Sequence, residues 1–397
     1  MRIVIHLLLY TCMVLFLAAC RKKNGSIPME TLPVASINSV SAQRPAASIT
    51  FHFSVSLDKA PDTAVTIHYA TVAATAEENK DYKPVSGILT IPAGQRQSVI
   101  DVEVTGDSLR KANQVFYIQL DDPRHCKLDT GSKGTGTIIN ENGLYFPVDN
   151  TGYITPVTYP GYSLAWSDEF NGSSVNNANW SFDNGNNNGS GNSELENYTS
   201  RLENVFVSQG NLIIEARKED YQGNNYTSAR MVTKGKRAFK FGRIDIRAKL
   251  PKGKGMWPAL WLLGNDIDAI GWPACGEIDM MELLGDEPGK VYGTLHWGAD
   301  FASHASKGTS YILSSGSFDE EFHVFSMIWN EDNIKIYVDD VAYLYGGKTD
   351  VAGGDYPFNK DFFFIFNIAV GGSWPGNPDG TTSFPQRMVV DYIRVFR

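Results

Sequence analysis

Cysteine is scarce in this chain, with four residues among 397, and Cys12 and Cys20 both lie within the first twenty positions. The other two, Cys126 and Cys275, are far apart in the sequence. No Cys or His spacing typical of a zinc site is present, and no disulfide framework is indicated. Stability must therefore come from buried apolar surface, for which a chain of this length is ample.

Basic residues are also in deficit, because 35 Lys and Arg face 44 Asp and Glu, giving a formal net charge of −9 at pH 7. A nucleic-acid-binding protein needs a basic face, so we expect no nucleic-acid partner. The same balance disfavours sulfated polysaccharides. Aromatic residues, by contrast, make up 12% of the chain, which is a generous supply of flat apolar surface.

One long apolar run is present, over residues 3–19 after Met1-Arg2, and it ends at Leu17-Ala18-Ala19-Cys20 before a basic triplet. It is short for a membrane helix and has the features of a secretory signal peptide. Leu-Ala-Ala-Cys resembles a bacterial lipobox, which implies a signal peptide over 1–19, lipid attachment at Cys20 and a tether over 20–33. We expect anchoring to a bacterial membrane of the cell envelope, the outer membrane, on its periplasmic or surface side. A plain signal peptide is the alternative.

Long stretches with helical periodicity are missing, and short alternating runs take their place. Apolar residues occupy every second position of 49–57, and similar runs follow with turn residues about every ten positions. This pattern predicts a β-sandwich over 34–142. Residues 143–162 are rich in Pro, Gly and Asn and are predicted as a linker. Alternation returns over 163–397, so we predict an all-β chain whose second domain is a two-sheet jelly roll with an open cleft.

Three carboxylates, Glu277, Asp279 and Glu282, lie within six residues of an apolar run bounded by glycine. On a strand Glu277 and Asp279 share one face, whereas Glu282 joins them only if a β-bulge adds a residue. With the bulge, side chains that lean inward would bring the two Glu carboxyls to ~5–5.5 Å, the separation of a retaining glycosidase pair. The alternative is a solvated acidic edge of a strand.

Tryptophans surround this acidic strand. Trp257 and Trp261 precede it, Trp272 leads into it, and His296-Trp297 follows. Sugars bind through apolar faces that stack on aromatic rings and through hydroxyls that contact carboxylates, so this combination favours a glycan cleft. Burial of these Trp side chains in the core is the competing interpretation.

At these residues the chain resembles family 16 of the glycoside hydrolases, and within it the laminarinase-like endo-β-1,3-glucanases. The resemblance covers about 163–397 and is carried, in order, by residues 165–172, 242–251, 257–261, 277–282, 367–372 and 388–396. It implies a concanavalin-like β-jelly roll in which Glu277 is the nucleophile, Glu282 the acid/base and Asp279 a neighbour that tunes them. It implies no cofactor for catalysis.

The resemblance also implies contacts with substrate and a structural metal. The implied substrate-binding residues are Trp257, Trp261, Trp272, His296, Arg230, Asn192 and Glu194. A structural role for His296, and surface roles for the last three, are the alternatives. The family often has Trp where this chain has Ser190 and Gln where it has Glu196, which bears on preference among β-glucans. Asp391 and Gly210 match positions that hold a structural Ca²⁺ in many relatives, although a hard cation needs further oxygens.

Residues 34–142 resemble a Calx-beta domain, an Ig-like sandwich, through Asp81-Tyr82 and residues 87–94 and 116–120. Some members bind calcium through acidic loops. Here residues 110–114 read Arg-Lys-Ala-Asn-Gln, so we expect no calcium in this domain. A spacer or glycan-facing module is the interpretation, and a simple stalk is the alternative.

Taken together, the sequence predicts a monomeric, endo-acting, retaining hydrolase of β-1,3 bonds in laminarin-type glucans, with mixed β-1,3/1,4-glucans as further substrates. Competing enzymes are a mixed-linkage-specific β-glucanase (lichenase), a galactan hydrolase and a transglycosylase. From another class, the competitor is a noncatalytic glycan-binding lipoprotein. Glu277 and Glu282 separate these classes, because a pure binder has no use for an acid/base pair.

Overall fold

The computed structural model describes residues 31–110, 113–140, 146–351 and 354–397. The predicted signal peptide, the lipidation site Cys20 and most of the predicted tether lie outside these ranges. Strands dominate the described residues, which confirms the prediction of an all-β chain. Among these residues, no helix is both long enough and apolar enough to cross a membrane.

The first nine strands build one sandwich. They are β1 (Val34–Ile37), β2 (Val40–Gln43), β3 (Ile49–Leu57), β4 (Val65–Ala73), β5 (Ser86–Ile91), β6 (Gln97–Val104), β7 (Gln114–Arg124), β8 (Lys127–Leu128) and β9 (Lys133–Ile139). A four-stranded sheet, β6-β3-β1-β8, faces a five-stranded sheet, β2-β9-β7-β4-β5. The alternating residues Phe51 and Phe53 of β3 point into the core, where Phe116 stacks on Tyr82 at 4.4 Å between ring centroids.

The remaining strands build a larger sandwich. They are β10 (Leu164–Asp168), β11 (Ser181–Phe182), β12 (Glu196–Tyr198), β13 (Val205–Ser208), β14 (Asn211–Tyr221), β15 (Asn224–Ser228), β16 (Arg230–Val232), β17 (Gly242–Lys249), β18 (Met256–Gly264), β19 (Glu277–Leu283), β20 (Lys290–Trp297), β21 (Ala305–Ile312), β22 (His323–Trp329), β23 (Asn333–Val338), β24 (Val341–Gly347), β25 (Phe362–Val370) and β26 (Gln386–Phe396). The short helix α1 (Ile267–Ile270) and three 3₁₀ helices (Phe301–Ser303, Lys348–Asp350, Pro357–Asn359) lie in its loops.

Two sheets enclose the core of this second sandwich. The ten-stranded sheet runs β12-β15-β14-β26-β17-β22-β23-β24, with β10 beside β26 and β13 beside β14. The seven-stranded sheet runs β11-β16-β25-β18-β19-β20-β21 and carries the acidic strand β19 near its middle. Strands β22 and β23 are consecutive and pair as an antiparallel hairpin. Strand β25 is buried along its whole length, so it anchors the seven-stranded sheet to the core.

The segment predicted as a linker packs on the ten-stranded sheet. Among its described residues, 146–162, no strand forms, but Phe146 and Val148 pack against the small apolar cluster around Phe322. The Tyr159 hydroxyl donates to Asp245 Oδ2 at 2.7 Å. The described part of the connection is therefore fixed to the second sandwich.

One arginine of the first sandwich enters the second. Arg110 Nε and Nη2 each lie 3.1 Å from a carboxylate oxygen of Glu215 on β14. The same guanidinium donates to the carbonyls of Leu202 and Glu203 at 2.8 and 2.6 Å and covers the Phe206 ring at 4.1 Å. A buried bidentate pair thus joins the two sandwiches through the ten-stranded sheet, which lies behind the face that carries the acids.

Candidate active site

A β-bulge in β19 places its acids on one face. The step from Asp279 to Glu282 covers three residues of β19 but only two of β20, and the pairing with β18 also shifts there. Met280 and Met281 are both fully buried in the core, whereas Glu277, Asp279 and Glu282 line one cleft. The bulge anticipated from the Glu-x-Asp-x-x-Glu spacing is therefore present, and it corrects the phase of Glu282.

The cleft has a volume of about 430 Å³ and lies on the seven-stranded sheet. Its lining brings together nine of the ten residues that the sequence nominated for catalysis and substrate binding: Asn192, Glu194, Arg230, Trp257, Trp261, Trp272, Glu277, Asp279 and Glu282. The tenth, His296, reaches the acids from the neighbouring strand β20. A mixture of aromatic faces and hydrogen-bonding groups in one cleft is what a sugar chain requires.

Two tryptophans hold the two glutamates by their indole N–H groups. Trp272 Nε1 donates to Glu277 Oε2 at 3.1 Å, and Trp257 Nε1 donates to Glu282 Oε1 at 3.0 Å. Each bond fixes the side-chain direction of one glutamate and favours its charged form. These tryptophans are consequently part of the acid machinery as well as walls of the cleft.

His296 sits opposite Glu277 in the pairing of β19 and β20. Its Nε2 lies 3.2 Å from Asp279 Oδ2 and 3.7 Å from Glu277 Oε1, while its Nδ1 lies 2.9 Å from His304 Nε2. His304 packs on Trp272, with 4.7 Å between ring centroids. Burial and the neighbouring His296 lower the pKa of His304, so His304 is the ring that stays neutral and supports His296.

Burial raises the pKa of all three carboxyls. The pKa of Glu282 rises to about 8, through burial and then the charge of Asp279, against opposing effects of the Trp257 N–H and His296. Burial and Asp279 also raise the pKa of Glu277, which His296 counteracts. Burial raises the pKa of Asp279 itself. Three carboxyls this close cannot all be charged, and Glu282 is suited to hold a proton at neutral pH.

Polar groups extend the cleft beyond the acids, on the side of β16 and β25. The Arg230 guanidinium covers the Trp261 ring at 4.9 Å, and Trp261 Nε1 donates to Asn367 Oδ1 at 2.8 Å. The Glu194 carboxylate accepts from Asn192 Nδ2 at 3.1 Å. Charged and amide groups held in this way offer directed partners for sugar hydroxyls.

Ser190, noted in the sequence as a departure from the family, also lines the cleft, whereas the sequence nominated none of the other lining residues: Gly191, Ala259, Leu263, Phe301, Asn367 and Ala369. Asn367 carried a signal, because it is the one polar residue in the apolar strand Phe362–Val370. Phe301 carried none in the sequence. Its side chain is 78% exposed, and its ring lies 5.0 Å from that of Trp272.

The residues predicted for calcium lie together on the ten-stranded sheet. Gly210 forms the turn into β14, and β14 pairs with β26 in a register that brings this turn beside Asp391. Asp391 Oδ2 forms an ion pair with Arg247 at 2.8 Å. Asn211 Oδ1 is buried and receives no hydrogen bond from the described residues. An amide oxygen without a donor fits a hard cation, whereas the Asp391 carboxylate already has Arg247 as a partner.

A bulged strand that presents two glutamates in a tryptophan-lined cleft, on one sheet of a jelly roll, defines a glycoside hydrolase site. Comparison of the sequence with models of known protein families supports this conclusion. The model of "Glycosyl hydrolases family 16" matches residues 192–394 and that of "Calx-beta domain" matches 41–142. The chain belongs to family 16 of the glycosyl hydrolases, and the resemblances to this family and to a Calx-beta domain are confirmed.

Relatives in this family include the beta-glucanase of Rhodothermus marinus, 42% identical over 250 residues, which span 60% of this chain and 86% of that protein. Glucan endo-1,3-beta-glucosidase A1 of Niallia circulans is 39% identical over 259 residues, 60% of this chain but 38% of that protein. Among solved structures, the laminarinase catalytic domain of Thermotoga maritima MSB8 is 49% identical, with a TM-score of 0.56, over 59% of this chain and 98% of that chain. The chain therefore spans well under half of the Niallia protein.

Proposed function

We propose that this protein is an endo-acting, retaining hydrolase of β-1,3-glucosidic bonds in laminarin-type glucans. The observation that carries the proposal is the bulged β19, which points Glu277 and Glu282 into one cleft, each held by an indole N–H. The relatives named for endo-1,3-β-glucosidase and laminarinase activity support β-1,3-glucan as the substrate.

In this mechanism Glu277 attacks the anomeric carbon while Glu282 gives its proton to the departing glycosidic oxygen. The sugar is then held on Glu277 as an ester. Glu282, now a carboxylate, takes a proton from water as that water attacks the same carbon and releases Glu277. His296 lies beside Glu277 and Asp279, and the charges of Asp279 and His296 also act on Glu282. They adjust which of the two glutamates carries the proton at each stage.

The test replaces each glutamate by its neutral isostere, Glu277→Gln and Glu282→Gln. Each variant should lose about 10³-fold or more of its laminarin hydrolysis, since nucleophile and acid/base catalysis are removed one at a time. Circular dichroism and melting temperature serve as controls for the fold. A variant that folds and keeps near-normal turnover would overturn the assignment and favour a glycan-binding role.

Product sizing on laminarin, curdlan, lichenan and agarose tests the linkage. We expect medium-length oligosaccharides from laminarin and curdlan at early times, because an open cleft admits internal bonds. Cleavage of lichenan alone would identify a mixed-linkage enzyme, and cleavage of agarose a galactan hydrolase. Absence of cleavage on all four polymers would contradict the proposal.

We also propose a structural Ca²⁺ held by Gly210 and Asp391, to which the buried Asn211 Oδ1 would add an oxygen. No step of the reaction passes through this ion. Chelation should lower the melting temperature and added Ca²⁺ should restore it, whereas an unchanged melting temperature would count against the site.

Attachment to a membrane of the bacterial cell envelope through lipid on Cys20 is part of the proposal, supported by the Leu-Ala-Ala-Cys sequence. Expressed in bacteria, the full chain should enter the detergent phase of a Triton X-114 partition, and Cys20→Ala should leave it in the aqueous phase. Equal partition of both would contradict the anchor. The protein without its lipid anchor is proposed to be a monomer, and light scattering in solution tests this.

A further inference from the structure

Two glutamates outside the acidic strand lie at the end of the cleft formed by β16 and β25. Glu196, the first residue of β12, is fully buried, and Glu194 is 7% exposed and lines the cleft. Neither forms an ion pair with a Lys or Arg among the described residues. Two carboxyl groups buried side by side in this way need a specific arrangement of protons.

The hydrogen bonds of Glu196 leave one oxygen without a donor. Its Oε2 accepts from the backbone N–H of Val370 on β25 at 2.6 Å. Its Oε1 is buried and receives no N–H or O–H from the described part of the chain. The group within hydrogen-bonding reach is the Glu194 carboxyl. Two carboxylates repel each other, so this contact is favourable only when one of them carries a proton.

The surroundings decide which glutamate holds that proton. Glu194 already accepts two hydrogen bonds, from Asn192 Nδ2 at 3.1 Å and from the Tyr198 hydroxyl at 2.9 Å, and it lines the open cleft. Among the described residues, the fully buried Glu196 carboxyl accepts only from backbone N–H groups, those of Val370 and of Glu196 itself. Burial, followed by the charge of Glu194, raises the pKa of Glu196. The proton therefore belongs on Glu196, and Oε1, the oxygen without a donor, is the atom left to carry it in the contact with Glu194.

We propose that Glu196 is a positioning residue, held as a carboxylic acid that donates a hydrogen bond to Glu194 and so fixes the carboxylate that the cleft presents to a sugar. The sugar contact rests on the proposed function, but the shared proton does not. A chain of hydrogen bonds connects Glu194 to Trp261. The Tyr198 hydroxyl, which donates to Glu194, accepts from Asn367 Nδ2 at 3.1 Å, and Asn367 Oδ1 accepts from the Trp261 indole.

The titratable and charged groups around the pair are few. Glu194 and Tyr198 come from the same loop and strand, Tyr226 is paired with Glu196 on the parallel strand β15, and Arg230 of β16 acts on Tyr198. Strand β25 contributes the uncharged Val370 and Asn367 to this contact. Loss of the Glu196 proton at high pH would leave two facing carboxylates, which would push Glu194 from its place.

Glu196→Gln tests the proposal, because the amide keeps the acceptor for Val370 and supplies a permanent N–H donor to Glu194. Melting temperatures of the two proteins are compared from pH 5 to 9 without substrate. A group that holds its proton more tightly when folded stabilises most at low pH, so the wild type should lose stability relative to the variant as pH rises above about 4.5. The expected loss is roughly 3–5 °C per pH unit for a domain of this size, until Glu196 ionises.

Asp220→Asn is the matched control, since it makes the same carboxylate-to-amide change at an exposed site on β14. Its melting temperature should follow that of the wild type at every pH. On laminarin, Glu196→Gln should keep its KM at high pH, where the wild-type KM rises several-fold, with kcat unaffected. The KM of Glu196→Ala, which has no donor, should be raised at all pH values.

Parallel pH curves for the wild type and Glu196→Gln would overturn the shared proton. A clear difference in stability, with no difference in KM, would overturn the positioning role and leave the proton in place. Because the melting curves need no substrate, failure of the proposed hydrolase activity alone would leave the first result intact.

Discussion

Two sets of buried carboxylates in the second sandwich, Glu215 on the ten-stranded sheet and the acids of β19 on the seven-stranded sheet, have opposite kinds of partner. On the ten-stranded sheet, Glu215 is fully buried and has three arginines within 4 Å, Arg110, Arg217 and Arg387, at 3.1, 3.7 and 2.7 Å. On the seven-stranded sheet, no Lys or Arg of the described residues forms an ion pair with Glu277, Asp279 or Glu282. Their partners are two indole N–H groups and His296.

This difference separates charges that hold the fold from charges that do chemistry. An arginine beside a buried carboxylate keeps it ionised and makes it a poor proton donor. A buried carboxyl without a cation holds its proton more tightly, which is what a general acid needs at neutral pH. The enzyme therefore carries its reactive carboxyls on β19, while the paired charges around Glu215 stabilise the sheet behind it.

The largest expected effect on the fold follows from removing the centre of the arginine cluster. Glu215→Ala would leave buried guanidinium groups without their anion, and breaking such a pair costs about 3–5 kcal/mol. For a domain of this size the melting temperature should fall by roughly 6–20 °C. Differential scanning calorimetry measures the fall, and kcat on laminarin at low temperature should be nearly unchanged.

The control removes an exposed pair of the first sandwich, by Glu77→Ala, which loses the contact with Lys80 at 3.0 Å. Because water solvates both side chains, no measurable change in melting temperature is expected. If Glu215→Ala proved as harmless as Glu77→Ala, the contrast between Glu215 and the acids of β19 would be lost.

Local patterns predicted the acidic strand better than they predicted its surroundings. Alternation with a period of two identifies strands, and the spacing of Glu277, Asp279 and Glu282 anticipated the bulge, because both depend on neighbouring residues. Phe301 and the contact of Glu196 with Val370 depend on loops and strands brought together from distant parts of the chain. The pairing of Arg110 with Glu215 crosses between two domains and leaves no local signal.

The roles of Glu277 and Glu282 can be tested separately, because each accepts a hydrogen bond from a different indole N–H group. Trp257→Phe removes an N–H that lowers the pKa of Glu282, so that pKa should rise above its value of about 8. Glu282 must be protonated to act as the acid, and activity falls as pH rises through its pKa. The alkaline limb of kcat/KM should therefore move to higher pH by up to about 1 unit.

Trp272→Phe is the matched variant, because it removes the N–H that lowers the pKa of Glu277. Glu277 must be charged to act as the nucleophile, so here the acidic limb of kcat/KM should move to higher pH. Profiles on a soluble laminarin oligosaccharide report both limbs. A shift of the same limb in both variants would show that the roles of the two glutamates are not those assigned.

The smallest expected effect concerns Phe301, which lies beyond the acids in the loop between β20 and β21, with its ring against Trp272. Phe301→Ala should raise KM for long laminarin oligosaccharides about 2- to 10-fold, the size of one aromatic contact, with little change in kcat. Phe301→Tyr keeps the ring and should behave like the wild type. Because Phe301 contacts none of the three acids, the pH limbs should stay in place. An unchanged KM, or a fall in kcat with a shifted pH limb, would show that the exposed ring does not serve as a binding surface separate from the carboxyl cluster.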